Sequence, residues 1–249
     1  MKFAGIIAEY DPFHNGHAWQ LAQAKALGAE RVAVAMSCSL VQRGALPLLP
    51  EAVRTRSALT CGADLVFALP APCACAGAEA FARAGVALLA AAGCDGLVFG
   101  AETPDAALLM EAAELLDSDS YRAALKAQLA GGARSFAAAR QAAAAQLASD
   151  ERVAALLDKP NNNLAVEYCR AIRSLAPRME AYPLPRQGAD HGEALHSAHG
   201  QFASASALRK LWAEGGADAV APYVPEAVFP LYQEAYAAGQ YTDFSAAGR

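Results

Sequence analysis

Several things this chain lacks narrow its class before any motif is read. None of its apolar runs reaches the length needed to cross a bilayer; the longest, Ala84–Cys94, is interrupted by glycine and suits a buried helix. The amino terminus carries one Lys and then a short apolar run ending at Glu9, which does not fit a secretory signal, so the expected compartment is the cytoplasm. The six cysteines (Cys38, Cys61, Cys73, Cys75, Cys94, Cys169) contain no C-x-x-C pair and no His at zinc spacing. They read as small core residues in a reducing compartment, and no protein metal site is expected. Aromatic residues are few, no repeat of domain-building length is evident, and nothing has the composition of a disordered segment. There is no excess of positive charge either: the formal net charge of −5 argues against indiscriminate nucleic-acid binding.

What is present is an alternation of apolar runs and helical patterns within 249 residues, enough for one large α/β domain or two unequal ones. Lys2–Ala8, Arg31–Met36, Asp64–Leu69 and Asp95–Gly100 read as buried parallel strands, with helices over Gly16–Leu27, Pro50–Cys61 and Cys75–Ala92 between them. From Asp105 to Leu157 the pattern is almost wholly helical. Lys159-Pro160 then interrupts the chain before a helix to about Leu175, and a further strand around Met179–Leu184 leads to Pro185-Arg186. This predicts a doubly wound parallel sheet with a helical insertion over about 105–178 and a short helical segment over 216–249. The charge is uneven as well: residues 121–178 hold nine basic and four acidic side chains. A basic strip that includes Arg122, Lys126 and Arg140 is thus a candidate polyanion surface, the alternative being a solvated helical face.

The sharpest motif closes the first strand. Ile6-Ile7-Ala8-Glu9-Tyr10-Asp11-Pro12-Phe13-His14-Asn15-Gly16-His17 stops an apolar strand in a Pro-containing turn and opens a helix with H-N-G-H. Two imidazoles at a helix N-terminus, where unpaired N–H groups and the helix dipole attract anions, suit a nucleoside triphosphate. Nucleotidyl transfer builds negative charge on the attacked phosphate and on departing pyrophosphate, and His14 and His17 can supply the donors that meet it. Gly16 is expected to let the nucleotide approach the backbone. In a second motif, Ser204-Ala205-Ser206-Ala207-Leu208-Arg209-Lys210, a Ser caps a helix whose first turn brings Arg209 and Lys210 round, so that the Ser204 and Ser206 hydroxyls, backbone N–H groups and the Arg209 guanidinium converge on one anion, the alternative being an ordinary Ser-capped basic helix. Gln42-Arg43-Gly44, after the second strand, is placed to cover the site or to be a plain surface turn.

An early H-x-G-H and a late S-x-S-x-x-R resemble the nucleotidylyltransferase superfamily. Within it EYDPFHNGH, MSCSLVQRG, GADLVFALP, CDGLVFGAE, PNNNLAVEY, LPRQGAD and SASALRK are similar in order and spacing to the tRNA(Met) cytidine acetate ligase family over about residues 1–215. The resemblance implies a Rossmann-like fold of the HIGH type. It implies that ATP and acetate form acetyl-adenylate with release of pyrophosphate, and that the acetyl group passes to the exocyclic amine of the wobble cytidine of elongator tRNA(Met), without acetyl-CoA. It places ATP on Ile7, Ala8, Glu9, Tyr10, Asp11, Pro12, Phe13, His14, Asn15, Gly16, His17 and Gln20, with Gly100, the Asn161-Asn162 pair and Arg186. Mg²⁺ is expected with the ATP.

Three positions depart from the family pattern: Asp11 in place of Asn, with Mg²⁺ as a possible partner; Ala68 in place of an acidic residue; and Ser37-Cys38-Ser39 in place of a Gly-containing turn. The chain also reads as a C-terminally short member, since the family runs on into a helical region that contributes to tRNA contact. Two other readings therefore stay open: an adenylate-forming enzyme with a small-molecule acceptor, and a catalytically weak nucleotide-binding module.

Overall fold

The β-branched and aliphatic run of Phe3–Ala8 becomes the central strand β1, which is flanked on both sides and therefore needs no polar alternation. The computed structural model describes residues 1–185, 196–197 and 200–243. After β1 come α1 (Asn15–Ala26), β2 (Arg31–Ser37), α2 (Glu51–Thr60), β3 (Leu65–Leu69), α3 (Ala71–Ala74), α4 (Ala78–Ala91) and β4 (Gly96–Ala101). Five helices follow: α5 (Ala106–Asp117), α6 (Asp119–Ala130), α7 (Phe136–Leu147), α8 (Glu151–Leu156) and α9 (Pro160–Leu175). The chain then returns as β5 (Glu180–Pro185).

All pairings in the main sheet are parallel and the strand order is β3-β2-β1-β4-β5. The order reverses between β1 and β4, where Ala4 lies opposite Gly96. Crossovers leave that point in opposite directions, so a crevice opens there beyond the carboxyl ends of the strands.

The helix expected over Cys75–Ala92 is α4, which starts three residues later because Gly77 in extended conformation caps it; the single-turn α3 just before it was not foreseen. A two-residue antiparallel ribbon, β6 (His196–Ser197) with β7 (Gly200–Gln201), was not foreseen; strands this short carry no periodic signal. Two helices finish the described chain, α10 (Ala205–Ala219) and α11 (Phe229–Ala237). α10 kinks at Gly216, whose φ of 68° places it in the left-handed region, and a Cβ there would stand 2.5 Å from the Tyr236 ring.

Each face of the sheet has its own core. On one, Leu97 and Phe99 of β4 pack with Phe81, Val86 and Leu89 of α4 and Val166 and Ile172 of α9. On the other, Ile6 and Val34 pack with Leu21 of α1, Leu208 and Trp212 of α10 and Tyr232 of α11. The segment from α10 onward is thus continuous with the core that carries β1. Among the described residues no helix is long and apolar enough to cross a membrane.

Candidate active site at the switch point of the sheet

Past Ala8 the backbone turns sharply. Tyr10 adopts φ 51°, unusual for a residue with a side chain, and Asp11–Pro12 is a cis peptide bond. The buried Tyr10 ring sits edge-on to Phe13 (4.9 Å between centroids) and to His17 (4.8 Å), so the turn is clamped by its own aromatics. His14 caps α1: its Nδ1 accepts from the Gly16 N–H at 3.0 Å, while the His14 N–H donates to Nδ1 of His17 at 3.2 Å. This is a capping box built from two histidines. Because each Nδ1 accepts, the neutral rings carry their proton on Nε2, a tautomer assigned by the hydrogen-bond pattern. The rings stack at 3.7 Å and both line the cavity beyond β1. Two Nε2–H donors side by side at a helix N-terminus can meet phosphate oxygens.

Gly16 has a reason beyond the expected one. A Cβ there would stand 2.9 Å from the His14 ring, so glycine makes room for the imidazole that caps its own helix. Gly16 still borders the cavity.

Asp11 is 3% exposed and engaged on both oxygens. Oδ1 accepts from the Leu48 N–H at 2.6 Å, and Oδ2 pairs with Arg209 at 3.0 Å and with Arg43 at 3.7 Å. The carboxylate therefore does not fit as a Mg²⁺ ligand, and among the described residues no cluster of three His, Cys, Asp or Glu side chains could hold a metal. Arg209 arrives from the second turn of α10, a helix that Ser204 caps through the Ala207 N–H at 3.2 Å; Ser204 and Ser206 hydroxyls are 3.0 Å apart. Burial pushes the Arg209 pKa down, the Asp11 charge opposes that shift, and Arg43 reinforces it.

A buried arginine that carried no motif signal organises the floor. Arg54 of α2 is 0% exposed and donates to the carbonyls of Leu49 (2.9 Å), Glu9 (2.7 Å), Ser37 (2.6 Å) and Cys38. It ties the ends of β1 and β2 to the loop before α2, with burial lowering its pKa. The sequence shows only a basic residue in a helix; four carbonyl partners from three segments are invisible to it. Next to this knot, Glu9 accepts from the Gln42 N–H at 2.6 Å, which brings the 38–45 loop over the strand ends.

Across the switch point, Asn161 at the start of α9 donates to Glu102 at 2.6 Å, and the Asn161 and Asn162 N–H groups donate to the same carboxylate. Asn162 is buried and turned to Thr103, so it shapes the β4–α5 loop, whereas Asn161 faces the cavity. Gln20 donates to the Val98 carbonyl and Gly100 lies at the end of β4. The cavity between these walls has a volume of about 460 Å³. Ile7, Ala8, Glu9, Tyr10, Asp11, His14, Gly16, His17, Gln20, Gly100, Asn161, Ser204, Ser206 and Arg209 all border it.

Besides Asn162, four expected residues lie elsewhere or outside the description. Phe13 is in the core with its carbonyl accepting from the Tyr232 hydroxyl; Pro12 is buried; Asn15 is buried and donates to the Gln201 and Pro222 carbonyls. Arg186 lies outside the described residues. Trp19, Phe81, Phe99, Leu164 and Tyr168 line the cavity without having been singled out, since apolar side chains in helices and strands look like core.

The basic strip is less free than its charge count suggests. Arg140 is turned inward, 17% exposed, and paired with the buried Glu167, which also holds Arg170 at 2.7 Å. Arg122 pairs with Asp119 at 2.7 Å, and Lys126 is exposed.

A parallel sheet with helices on both faces and a cavity at its switch point, bordered by two histidines at one helix N-terminus and an arginine near another, defines a doubly wound α/β protein. Its family follows from comparison. Residues 1–247 match the model of the HIGH nucleotidyl transferase family, and the chain belongs to that family. It is 41% identical over 86% of its length to a tRNA(Met) cytidine acetate ligase of Syntrophotalea carbinolica, covering 52% of that protein, and 35% identical over 96% to one of Caldanaerobacter subterraneus, covering 60%. Among solved structures it is similar to Thermotoga maritima TmcAL bound with alpha-thio ATP, with a TM-score of 0.87 at 30% identity over 97% of this chain and 57% of that one. The chain thus spans a little over half the length of these relatives.

Proposed function

We propose that this chain is the adenylate-forming part of an ATP-dependent acetate ligase that modifies tRNA. The observation that carries the reading is that the two anion-binding helix N-termini, with His14 and His17 on α1 and Ser204 and Arg209 on α10, border one cavity at the sheet's switch point. The names of the relatives and an ATP analogue in a structural neighbour support it.

In the proposed reaction an acetate oxygen attacks the α-phosphate of ATP, the bond to the bridging oxygen breaks, and its electron pair leaves with pyrophosphate. Nε2–H donors of His14 and His17 and the guanidinium of Arg209 offset the charge that develops on the phosphate oxygens. The acetyl group then passes from AMP to the exocyclic amine of the wobble cytidine of elongator tRNA(Met). Mg²⁺ is proposed to arrive on the triphosphate, a setting that suits an ion held by phosphate oxygens and water. The cytoplasm is the proposed compartment.

The deciding experiment is exchange of labelled pyrophosphate into ATP, with and without acetate, followed by addition of tRNA. Exchange that requires acetate is expected; exchange indifferent to acetate would overturn the reading. A small-molecule acceptor is a second reading, favoured by the ion pairing of Arg122 and Arg140. Labelled acetyl appearing on tRNA decides against it.

A further inference from the structure

The cavity has two unlike walls. The wall on the α1 face is the H-N-G-H turn. The opposite wall is built from Phe81 of α4, Phe99 of β4, and Leu164 and Tyr168 of α9. Phe99 and Tyr168 meet at 5.4 Å with a 58° tilt, and their rings are almost wholly buried at its base. Alternation along β1 sends Ile7 to this face, and Glu9 follows it. Glu9 and Tyr168 both border the cavity, and burial and then the nearby Glu9 carboxylate push the Tyr168 phenol pKa up.

Both groups can offer a hydrogen-bonding atom to a ligand in the cavity. Tyr168 is 4% exposed, lines the cavity, and its hydroxyl has no partner among the described residues. Glu9 uses Oε1 for the Gln42 N–H, while Oε2 has no partner among the described residues. A ligand that closes this part of the cavity has to pair with both groups, because burying either without a partner would be costly. At this wall the Glu9 carboxylate favours a group that donates to it, while Arg43 and Arg209 offer cations elsewhere on the cavity lining. A flat ring that carries an N–H donor fits, since its face packs on the apolar wall and its amine donates to a carboxylate.

We propose that this second wall is the acceptor subsite, that it takes a planar heterocycle bearing an exocyclic amine, and that Glu9 removes the amine proton. The inference rests on the acetyl-transfer reading above. In the step, the amine nitrogen attacks the carbonyl carbon of acetyl-adenylate and a C–N bond forms. The bond from that carbon to the phosphate oxygen breaks, its electron pair leaves with AMP, and the proton passes to Oε2 of Glu9. Nitrogen becomes much more acidic as the C–N bond forms, so a carboxylate is a competent base. Tyr168 orients the ring by a hydrogen bond to its edge.

The test compares two acceptors in the full chain supplied with ATP and labelled acetate. Hydroxylamine traps the acetyl group without needing a ring-shaped subsite, whereas transfer to a tRNA(Met) transcript or to cytidine at high concentration needs one. Glu9→Gln is expected to slow cytosine acetylation about 100-fold more than it slows hydroxamate formation. Tyr168→Phe is expected to raise the KM for the cytosine acceptor several-fold with a smaller effect on kcat, a signature of lost positioning. Parallel loss of both transfers in Glu9→Gln would overturn the proposal by making Glu9 a support for the ATP side, as would no loss of either. If the wild type makes hydroxamate yet acetylates neither tRNA nor cytidine, the acceptor is not a cytosine and the proposal falls. If the wild type makes no acetate-dependent hydroxamate, it is the ligase reading that fails.

Discussion

Asp11 and Arg209, 198 positions apart in the chain, are joined twice: Nη1 of Arg209 donates to the Asp11 carbonyl at 2.6 Å and to its Oδ2 at 3.0 Å. The pair fastens the turn after β1 to the second turn of α10 and so joins both motifs at the cavity. It also sets a carboxylate against a cation that faces the proposed polyphosphate. The Asp11 side chain is 2% exposed and that of Arg209 16%, so water screens the contact little.

Replacing Asp11 with Asn keeps the acceptor for the Leu48 N–H and removes the charge. Stability is expected to fall by about 1–3 kcal/mol, a typical range for weakening a largely buried charged hydrogen bond. ATP affinity should rise, because Arg209 and Arg43 lose a competing anion. Urea denaturation and calorimetric titration read the two effects separately; weaker ATP binding in Asp11→Asn would mean that the carboxylate aligns Arg209 for the nucleotide. Arg209→Lys should weaken ATP binding, since a single ammonium cannot reproduce the fork.

His17→Ala is expected to lower adenylation about 10²–10³-fold with the fold retained, as for loss of one transition-state donor. His14→Ala should do the same and also cost about 1 kcal/mol of stability, because it removes the cap on α1. Gly16→Ala separates geometry from chemistry: both imidazoles remain, but a Cβ 2.9 Å from the His14 ring forces that ring aside. A loss of about tenfold or more is expected for such a displacement. Pyrophosphate exchange beside circular dichroism checks all three, and wild-type turnover in Gly16→Ala would show that the ring position is not critical.

In the basic strip, Arg140→Glu would set a new carboxylate against the buried Glu167 and destabilise the α7–α9 contact by about 3–5 kcal/mol, the scale for a broken buried pair. Thermal melts test this. The exposed pair Arg122→Glu and Lys126→Glu should leave the melting temperature nearly unchanged. If that face meets tRNA, the double variant also binds RNA more weakly and with a shallower salt dependence, measurable by filter binding. Unaltered RNA affinity would mark the face as merely solvated.

Burial raises the Glu102 pKa, but hydrogen bonds from the Asn161 side chain and the Asn161 and Asn162 N–H groups outweigh it and hold the pKa below the ordinary value. A carboxyl whose folded pKa is depressed stabilises the fold above its unfolded pKa and loses that contribution as pH falls through the folded one. Wild type should therefore exceed Glu102→Gln in stability by a constant margin above about pH 5, and the margin should shrink as the solution is acidified. Denaturant melts across pH 3–7 would show it; a pH-independent difference would mean that Glu102 acts through packing alone.

Much of this was legible from residues in order. The alternation of apolar strands with helical patterns specified the parallel sheet, because buried strands between helices need continuous apolar runs such as Gly5-Ile6-Ile7-Ala8. The H-N-G-H at a strand end and the Ser-capped SASALRK helix marked the two helix termini that border the cavity, because capping and dipole effects act within a few neighbouring residues. What distance along the chain hides, only the tertiary structure decided. Asp11 neutralises an arginine from α10 rather than facing a metal, Arg140 belongs to a buried ion-pair network rather than an open strip, and Gly16 makes way for His14. Arg54 gathers carbonyls from three segments, and Phe81, Phe99 and Tyr168 become one wall. Hydrogen bonds and apolar contacts between distant segments depend on how close packing brings those segments together, and local sequence carries no record of that partnership.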